Sequence, residues 1–278
     1  MESKWKTSSS LFVCPLCGKQ MKVSESSIIC EKKHCYDISR KGYINFVQKS
    51  SAKVYNAELF EHRHFLYSSG FYDEIIETMN LLVKKHIHKH NYYTIVDAGC
   101  GEGSFLIKLC NCISGCKIGF DISKDAVLQA SRSSKEILWL VADLVNIPLK
   151  ADCVDVLFNI FTPANYQSFN RILRKDGIMV KVIPGIEYLK ELRNAVGEKI
   201  KKQNDDEEQV IDYLSQYMEI VEKKKVYYKV KVDFEQMRSW ARMTPMTTNL
   251  LIEEETLLPI KHITIDVIIC VCRKLEVN

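Results

Sequence analysis

Two sets of residues in this 278-residue chain have the types and the spacing to do chemistry. The first lies in Thr94 to Phe105, TIVDAGCGEGSF. A short apolar run ends at Asp97, glycines follow at Gly99, Gly101 and Gly103, and Phe105 to Leu109 reads as the start of a helix. Strand, tight glycine turn and helix start together let a ligand approach bare backbone and unpaired N–H groups. Glycine turns are common, so the three glycines alone decide little. The next carboxylates decide more. Asp121 ends a second apolar run 24 residues after Asp97, close to the roughly 20-residue offset at which an acid meets a ribose diol. A third run, Ile137 to Val141, leads to Asp143. Three successive strands, each with a carboxylate at its C-terminal end, would line the crevice in which open α/β sheets bind ligands.

The second set is near the N-terminus. Cys14, Cys17, Cys30 and His34 form C-x2-C-x12-C-x3-H, with Cys35 adjacent as a competitor for the fourth place. A C-x2-C turn presents two thiolates, and a second pair across a hairpin completes the tetrahedron of S and N ligands that Zn²⁺ prefers. Ser24 to Ile29 supplies the strand between the pairs. Four protein ligands leave no open position, so this zinc would be structural and would fold a module too small for its own core.

Composition sets the frame. A length of 278 residues is enough for one large domain or a domain plus a module, and a composition 46% hydrophobic allows a sizeable core. No apolar run reaches the ~18 residues of a membrane span, and Met1 to Ser10 lacks an apolar signal core, so a cytoplasmic protein with no membrane partner is expected. In a reducing compartment eleven cysteines suggest metal ligands and buried thiols rather than disulfides. The net charge of +4 is uneven: residues 1–60 carry +5 and the remainder −1. Positive charge on the N-terminal piece suits a polyanion, although a solvated lysine-rich surface accounts for it as well. The run Tyr36 to Val47 mixes bases with aromatics, and Arg40, Lys41 and Tyr43 in it could meet phosphates and stacked bases. Its aromatics could equally pack the zinc module.

The elements that must position these residues alternate. Ser50 to Asn56 reads as a linker, which divides the chain into a zinc module over 1–50 and a larger domain over 51–278. Helices are expected over Glu58 to Phe71 and over Tyr72 to His90, the latter ending in His86, His88 and His90 with no acidic partner nearby in sequence. Beyond the three strands come a helix over Asp125 to Ser133, a strand over Val154 to Ile160, a helix over Tyr166 to Leu173, and a turn at Asp176-Gly177 into a strand over Ile178 to Ile183. Helices over Tyr188 to Lys202 and Gln209 to Met218 flank a polar break. Val226 to Val232 and His262 to Cys272 read as strands around a helix over Phe234 to Arg242. The pattern is that of a mostly parallel, doubly wound α/β sheet closed by an antiparallel pair.

The block D-A-G-C-G-E-G resembles motif I of class I S-adenosylmethionine (SAM) methyltransferases. That resemblance implies a Rossmann-like fold with Asp97 and Glu102 near the methionine end, Asp121 on the ribose and Asp143 near the adenine. Taken whole, the chain resembles the bacterial 23S ribosomal RNA guanine-N1 methyltransferases of the RlmA type. The matching blocks run from CPLC with C-x3-H, through YDISRKGYINFV, FLYSSGFYDEI, DAGCGEG, GFDISKDAV and FTPANYQSFNRILRKDGIMVKVIPG, to YLKELR and MTPM. The resemblance places zinc on Cys14, Cys17, Cys30 and His34, and cofactor contacts on Tyr72, Gly101, Glu102 and the position of Tyr188, which is histidine in some relatives. It implies SAM and zinc as cofactors and 23S ribosomal RNA as partner; a homodimer is compatible with it.

Ring nitrogen 1 of guanine carries a proton and is a poor nucleophile until that proton leaves. It also lies on the Watson–Crick edge, so the base must be unpaired or flipped out. Methyltransferases of exocyclic amines often carry N/D-P-P-Y/F after the fourth strand; here that place reads Asn159-Ile160-Phe161-Thr162-Pro163. Phe161 and Thr162 would line the substrate side, or Phe161 would pack the core. No residue type at a telling position identifies a general base. Two other readings fit parts of the chain. A SAM methyltransferase for a small molecule or protein has no need of the basic zinc module, and a zinc-bearing RNA-binding protein with an inactive methyltransferase domain has no need of intact glycines and carboxylates.

Overall fold

The structure, a computed structural model, describes residues 2–47, 57–109, 113–197, 207–244, 247, 250 and 252–275. Helix α1 (Glu2–Ser8) precedes the cysteine knuckle. Strands β1 (Met21–Ser24), β2 (Ser27–Cys30) and β3 (Cys35–Asp37) form a small antiparallel sheet, and β4 (Tyr43–Asn45) follows. Then come α2 (Ala57–Ser68), α3 (Asp73–His86), β5 (Tyr93–Ala98), α4 (Ser104–Leu109), β6 (Gly115–Asp121), α5 (Lys124–Ser133) and β7 (Leu138–Val141). The second half holds β8 (Val154–Ile160), α6 (Tyr166–Ile172), β9 (Leu173–Pro184), α7 (Lys190–Val196), α8 (Glu207–Ser215), β10 (Met218–Lys231), α9 (Phe234–Met243), α10 (Glu254–Leu257) and β11 (His262–Lys274).

The large sheet runs β10-β11-β9-β8-β5-β6-β7-β4. All neighbours from β9 to β4 pair in parallel, and β11 pairs antiparallel with both β9 and β10. Strand order reverses between β5 and β8, and such a switch point opens a crevice at the strands' carboxyl ends. Every residue of β7 and β8 is buried, as expected of strands covered on both faces. Helix α3 turns Ile75, Ile76, Met79, Leu82 and Val83 inward, with Asp73 and Glu74 in its first turn and Lys84, Lys85 and His86 in its last, matching the helix dipole. No helix among the described residues is long and apolar enough to cross a membrane.

The N-terminal piece is not a separate body. Strand β4 joins the large sheet, with Tyr43 beside Trp139 and Ile44 beside Leu140, and Phe46 N donates to Val141 O at 2.9 Å. It covers the otherwise open apolar edge of β7. Trp5, Phe12, Ile44 and Phe46 are buried in the same core as Val96, Ile118 and Leu140. The linker read at Ser50 to Asn56, the polar break over 203–206, residues 198–202 of the expected helix, and Pro245 and Met246 lie outside the described residues.

Several expectations are corrected. Ser24 to Ile29 is a hairpin rather than one strand, because Glu25 takes the left-handed conformation (φ 50°) and turns the chain. Strand β10 begins eight residues before Val226: Lys223 to Lys225 carry no apolar alternation, but an edge strand needs only backbone pairing with β11, and its lysines stay solvated. The turn at Asp176-Gly177 is a bulge within β9, where Val154 pairs with Leu173 and Val156 already with Ile178. His86 does have an acidic partner: Glu222 on β10, 136 residues away, which bonds both Lys85 and His86.

Candidate cofactor and metal sites

The cofactor crevice is built from the ends of β5, β6, β7 and β8. After Ala98 the backbone N–H groups of Gly99 and Cys100 both donate to Phe120 O, at 2.8 and 2.9 Å, which pins the loop to β6. Gly99 has φ +80°, and a Cβ there would strike the Thr162 side chain. The loops after β5 and β8 therefore meet across the switch point, and only glycine permits it. Gly103, φ +87°, would collide with Trp139 and Ala130, so the glycine keeps α4 tight on the sheet.

Asp121, at the end of β6, accepts from Gly101 N at 3.0 Å and from Ser123 N at 2.8 Å. Burial pushes its carboxyl above the ordinary value, against those two donors and the nearby Arg63 cation. Asp97 is 2% exposed. Burial, then the charges of Asp121 and Glu102, push its carboxyl up to about 8, and its Oδ1 has no hydrogen-bond partner. Glu102 is also buried but fully engaged: it accepts from Ser104 N (3.1 Å), Ser104 Oγ (2.8 Å) and His64 Nδ1 (2.9 Å). Asp143 is exposed and accepts from Val145 N at 3.0 Å.

An aromatic cluster stands beside the end of β8. Tyr72 and Tyr188, 116 residues apart, share a hydroxyl hydrogen bond of 2.7 Å. Phe161 stacks on Tyr188, centroids 5.4 Å apart at 27°, and lies 5.9 Å from Tyr72. Phe161 holds the left-handed conformation, φ 53°, a strained setting for a bulky residue that turns the chain sharply at the end of β8. Beneath that turn Lys181 Nζ donates to Asn159 Oδ1 at 2.6 Å, and Asn159 Nδ2 donates to Ala98 O and Pro163 O at 3.2 and 3.0 Å. Burial lowers the Lys181 ammonium to about 8. Thus Gly101 meets Asp121, Gly99 faces Thr162, Asp97 lies near Asp121 and Glu102, and Phe161 packs on Tyr72 and Tyr188, all at the ends of β5, β6 and β8, with Asp143 on the next strand end.

Residues that sequence reading missed come from α2 and from the sheet interior. His64 bonds Glu102, which raises its pKa. Arg63 Nη1 lies 3.9 Å from where a Gly101 side chain would begin. A helix with no apolar stripe gives no sign that two adjacent polar residues face the glycine loop. Lys181 sits inside an apolar strand run, and a lysine in such a run is the available signal.

At the other centre, the Sγ atoms of Cys14, Cys17 and Cys30 and a ring nitrogen of His34 all lie within 4.8 Å of one another. Cys17 Sγ to Cys30 Sγ is 3.7 Å; His34 Nδ1 is 3.4 Å from Cys14 Sγ and 3.5 Å from Cys30 Sγ. A tetrahedron with Zn–S of about 2.3 Å and Zn–N of about 2.0 Å has edges of roughly 3.5–3.8 Å, so the cage fits zinc. The knuckle is set by Cys17 N and Gly18 N, both donating to Cys14 O, and the second pair by Lys33, φ 63°, which swings His34 inward. Cys35 starts β3, pairs with Ile29 and is exposed outside the cage.

Arg40 and Lys41 are exposed, whereas Tyr43 (8%), Tyr36 (7%) and Phe46 (6%) are buried. The aromatics of that run pack the core, and its bases remain on the surface with Asp37 and Asn45.

The cofactor crevice suits SAM on two observations: Asp97 Oδ1 is a buried acceptor awaiting a donor, and at Gly101, beside Asp121, a Cβ would meet nothing nearer than Arg63 Nη1 at 3.9 Å. Fold, crevice and Cys3His cage together define a SAM-dependent methyltransferase carrying a zinc ribbon. Comparison with known proteins agrees. The zinc-ribbon family described as RlmA, N-terminal, matches residues 12–52, and a methyltransferase domain family matches 95–177. YxjB of Bacillus subtilis, assigned by name to the 23S rRNA (guanine-N(1)-)-methyltransferases, is 42% identical over 191 residues, 66% of this chain and 68% of that protein. The 23S rRNA (guanine(748)-N(1))-methyltransferase of Streptomyces fradiae is 26% identical over 270 residues, 94% of this chain and 96% of that protein. The chain belongs to the RlmA-type 23S rRNA (guanine-N1-)-methyltransferase family.

Proposed function

We propose that this methyltransferase methylates N1 of a guanine in a hairpin loop of 23S ribosomal RNA. The observation that carries the reading is similarity along nearly the whole length to an enzyme of that named activity, zinc ribbon included.

When bound, SAM supplies an electrophilic methyl on a sulfonium. The residues of the chain orient it and the base. Asp121 takes the ribose hydroxyls while its existing bonds to Gly101 N and Ser123 N hold the loop in place. Asp97, with a free acceptor, takes the ammonium of the methionine moiety. Glu102, bound to His64 and Ser104, shapes the loop. Asp143 faces the adenine. The Tyr72–Tyr188 pair and Phe161 exclude water, and Thr162 stands where the target base enters. Arg40 and Lys41 on the ribbon contact phosphates.

Purified protein should methylate naked 23S ribosomal RNA, and mass spectrometric mapping should place the methyl on guanine N1. Methyl transfer to protein or small molecules with none to RNA would overturn the reading.

A further inference from the structure

The loop after β7 carries Asp143, and the zinc knuckle holds that loop in place. Val13 N donates to Pro148 O at 3.1 Å, and Lys150 N donates to Leu11 O at 2.9 Å. Asn146 Nδ2 donates to Pro15 O at 2.8 Å. Val13 and Pro15 are the two chain neighbours of the zinc ligand Cys14, so bonds to the loop flank a metal ligand on both sides. At its other end Asn146 is tied to the carboxylate residue itself, its backbone N donating to Asp143 O at 3.1 Å. Helix α6 steadies the loop from behind, through Ser168 Oγ to Val145 O at 2.9 Å and Arg171 to Ile147 O at 2.7 Å.

We propose that the zinc knuckle is part of the cofactor site: Asn146 is a positioning residue that links Cys14's turn to Asp143, so that zinc and SAM bind cooperatively. This rests on the reading that Asp143 faces the adenine. A C-x2-C turn takes its shape from the metal, since both thiolates must point at one atom. Without that constraint the carbonyl of Pro15 shifts, Asn146 loses its acceptor, and Asp143 is no longer fixed. Coupling of this kind is reciprocal, so the cofactor must tighten zinc by the factor by which zinc tightens the cofactor.

The test uses the zinc-loaded full chain and S-adenosylhomocysteine as probe. Asn146→Ala should keep one zinc and a single cooperative melting transition, yet bind S-adenosylhomocysteine roughly threefold to tenfold more weakly, the scale of one net hydrogen bond. In the native protein S-adenosylhomocysteine should slow zinc release to a chromogenic chelator, and in Asn146→Ala it should not. A merely structural asparagine would not move that second readout. If Asn146→Ala binds the probe normally, or the probe leaves zinc release unchanged in the native protein, the coupling is wrong. Asp143→Ala separates the two levels: unchanged affinity there removes the adenine assignment and the proposal with it, whereas a normal loss there with intact binding by Asn146→Ala overturns the coupling alone.

Discussion

Tyr72, at the entrance to α3, and Tyr188, beyond the end of β9, meet through their hydroxyls at 2.7 Å. Tyr72 is 1% exposed, so the bond joins two distant segments inside the protein. Burial pushes both phenols far above their ordinary range and keeps them neutral hydrogen-bonding groups. Removing one hydroxyl strands the other. Tyr188→Phe should cost about 1–3 kcal/mol, and the double variant Tyr72→Phe/Tyr188→Phe should recover part of it, because no hydroxyl is then left unpaired. Urea denaturation of the three variants measures this; additive losses would show that the bond has no energetic role.

Asp97 gives a pH dependence with a definite sign. Its carboxyl is raised to about 8 in the folded protein from 3.8, so the folded chain keeps a proton that the unfolded chain releases. The residue's contribution to stability therefore falls as pH rises from about 4 to about 8. Asp97→Asn removes that dependence, and its melting temperature should exceed the native value by a margin that widens across this window and levels off above it. A cation bound beside Asp97 favours the carboxylate, so SAM binding near neutral pH should release a proton. Calorimetry in buffers of different ionisation enthalpy detects the release, and Asp97→Asn should abolish it while weakening SAM binding.

The metal cage predicts an asymmetry between neighbours. Cys35→Ser should retain one zinc per chain, since Cys35 lies outside the cage, while Cys17→Ser and His34→Ala should lose it. Metal analysis of the purified variants decides. Because the ribbon shares its core with the large sheet through Trp5, Phe12 and Phe46, zinc removal should also lower the melting temperature of the whole protein.

Arg40 and Lys41 test the RNA grip. Replacing both by alanine should weaken RNA binding and reduce its salt slope by about one for each phosphate no longer neutralised. SAM affinity should not change, because both side chains are exposed on the ribbon. Tyr43→Phe, by contrast, should alter neither, its ring being packed beside Trp139. An unchanged salt slope in the double variant would move the grip to another basic surface.

Much of this is legible in the chain because it depends on local order. The C-x2-C and C-x3-H pairs are turns whose geometry is set within five residues. The glycine loop and the strand-end carboxylates follow from apolar strand runs that break at Asp97, Asp121 and Asp143. Such features need only the backbone rules of turns and strands. Tertiary structure alone decided the rest. Cys35 and His34 are adjacent and chemically equivalent candidates until Lys33 in the left-handed conformation turns one inward. Tyr43 stands in a basic run that reads as surface, and becomes core only because β7 needs a strand to cover its edge. His86 has no acidic neighbour in sequence, and gains one only when β10 brings Glu222 beside it. Pairings between residues more than a hundred positions apart leave no periodic trace in a sequence, so the clamp from Pro15 to Asn146, and the Tyr72–Tyr188 bond, exist only once the sheet has closed.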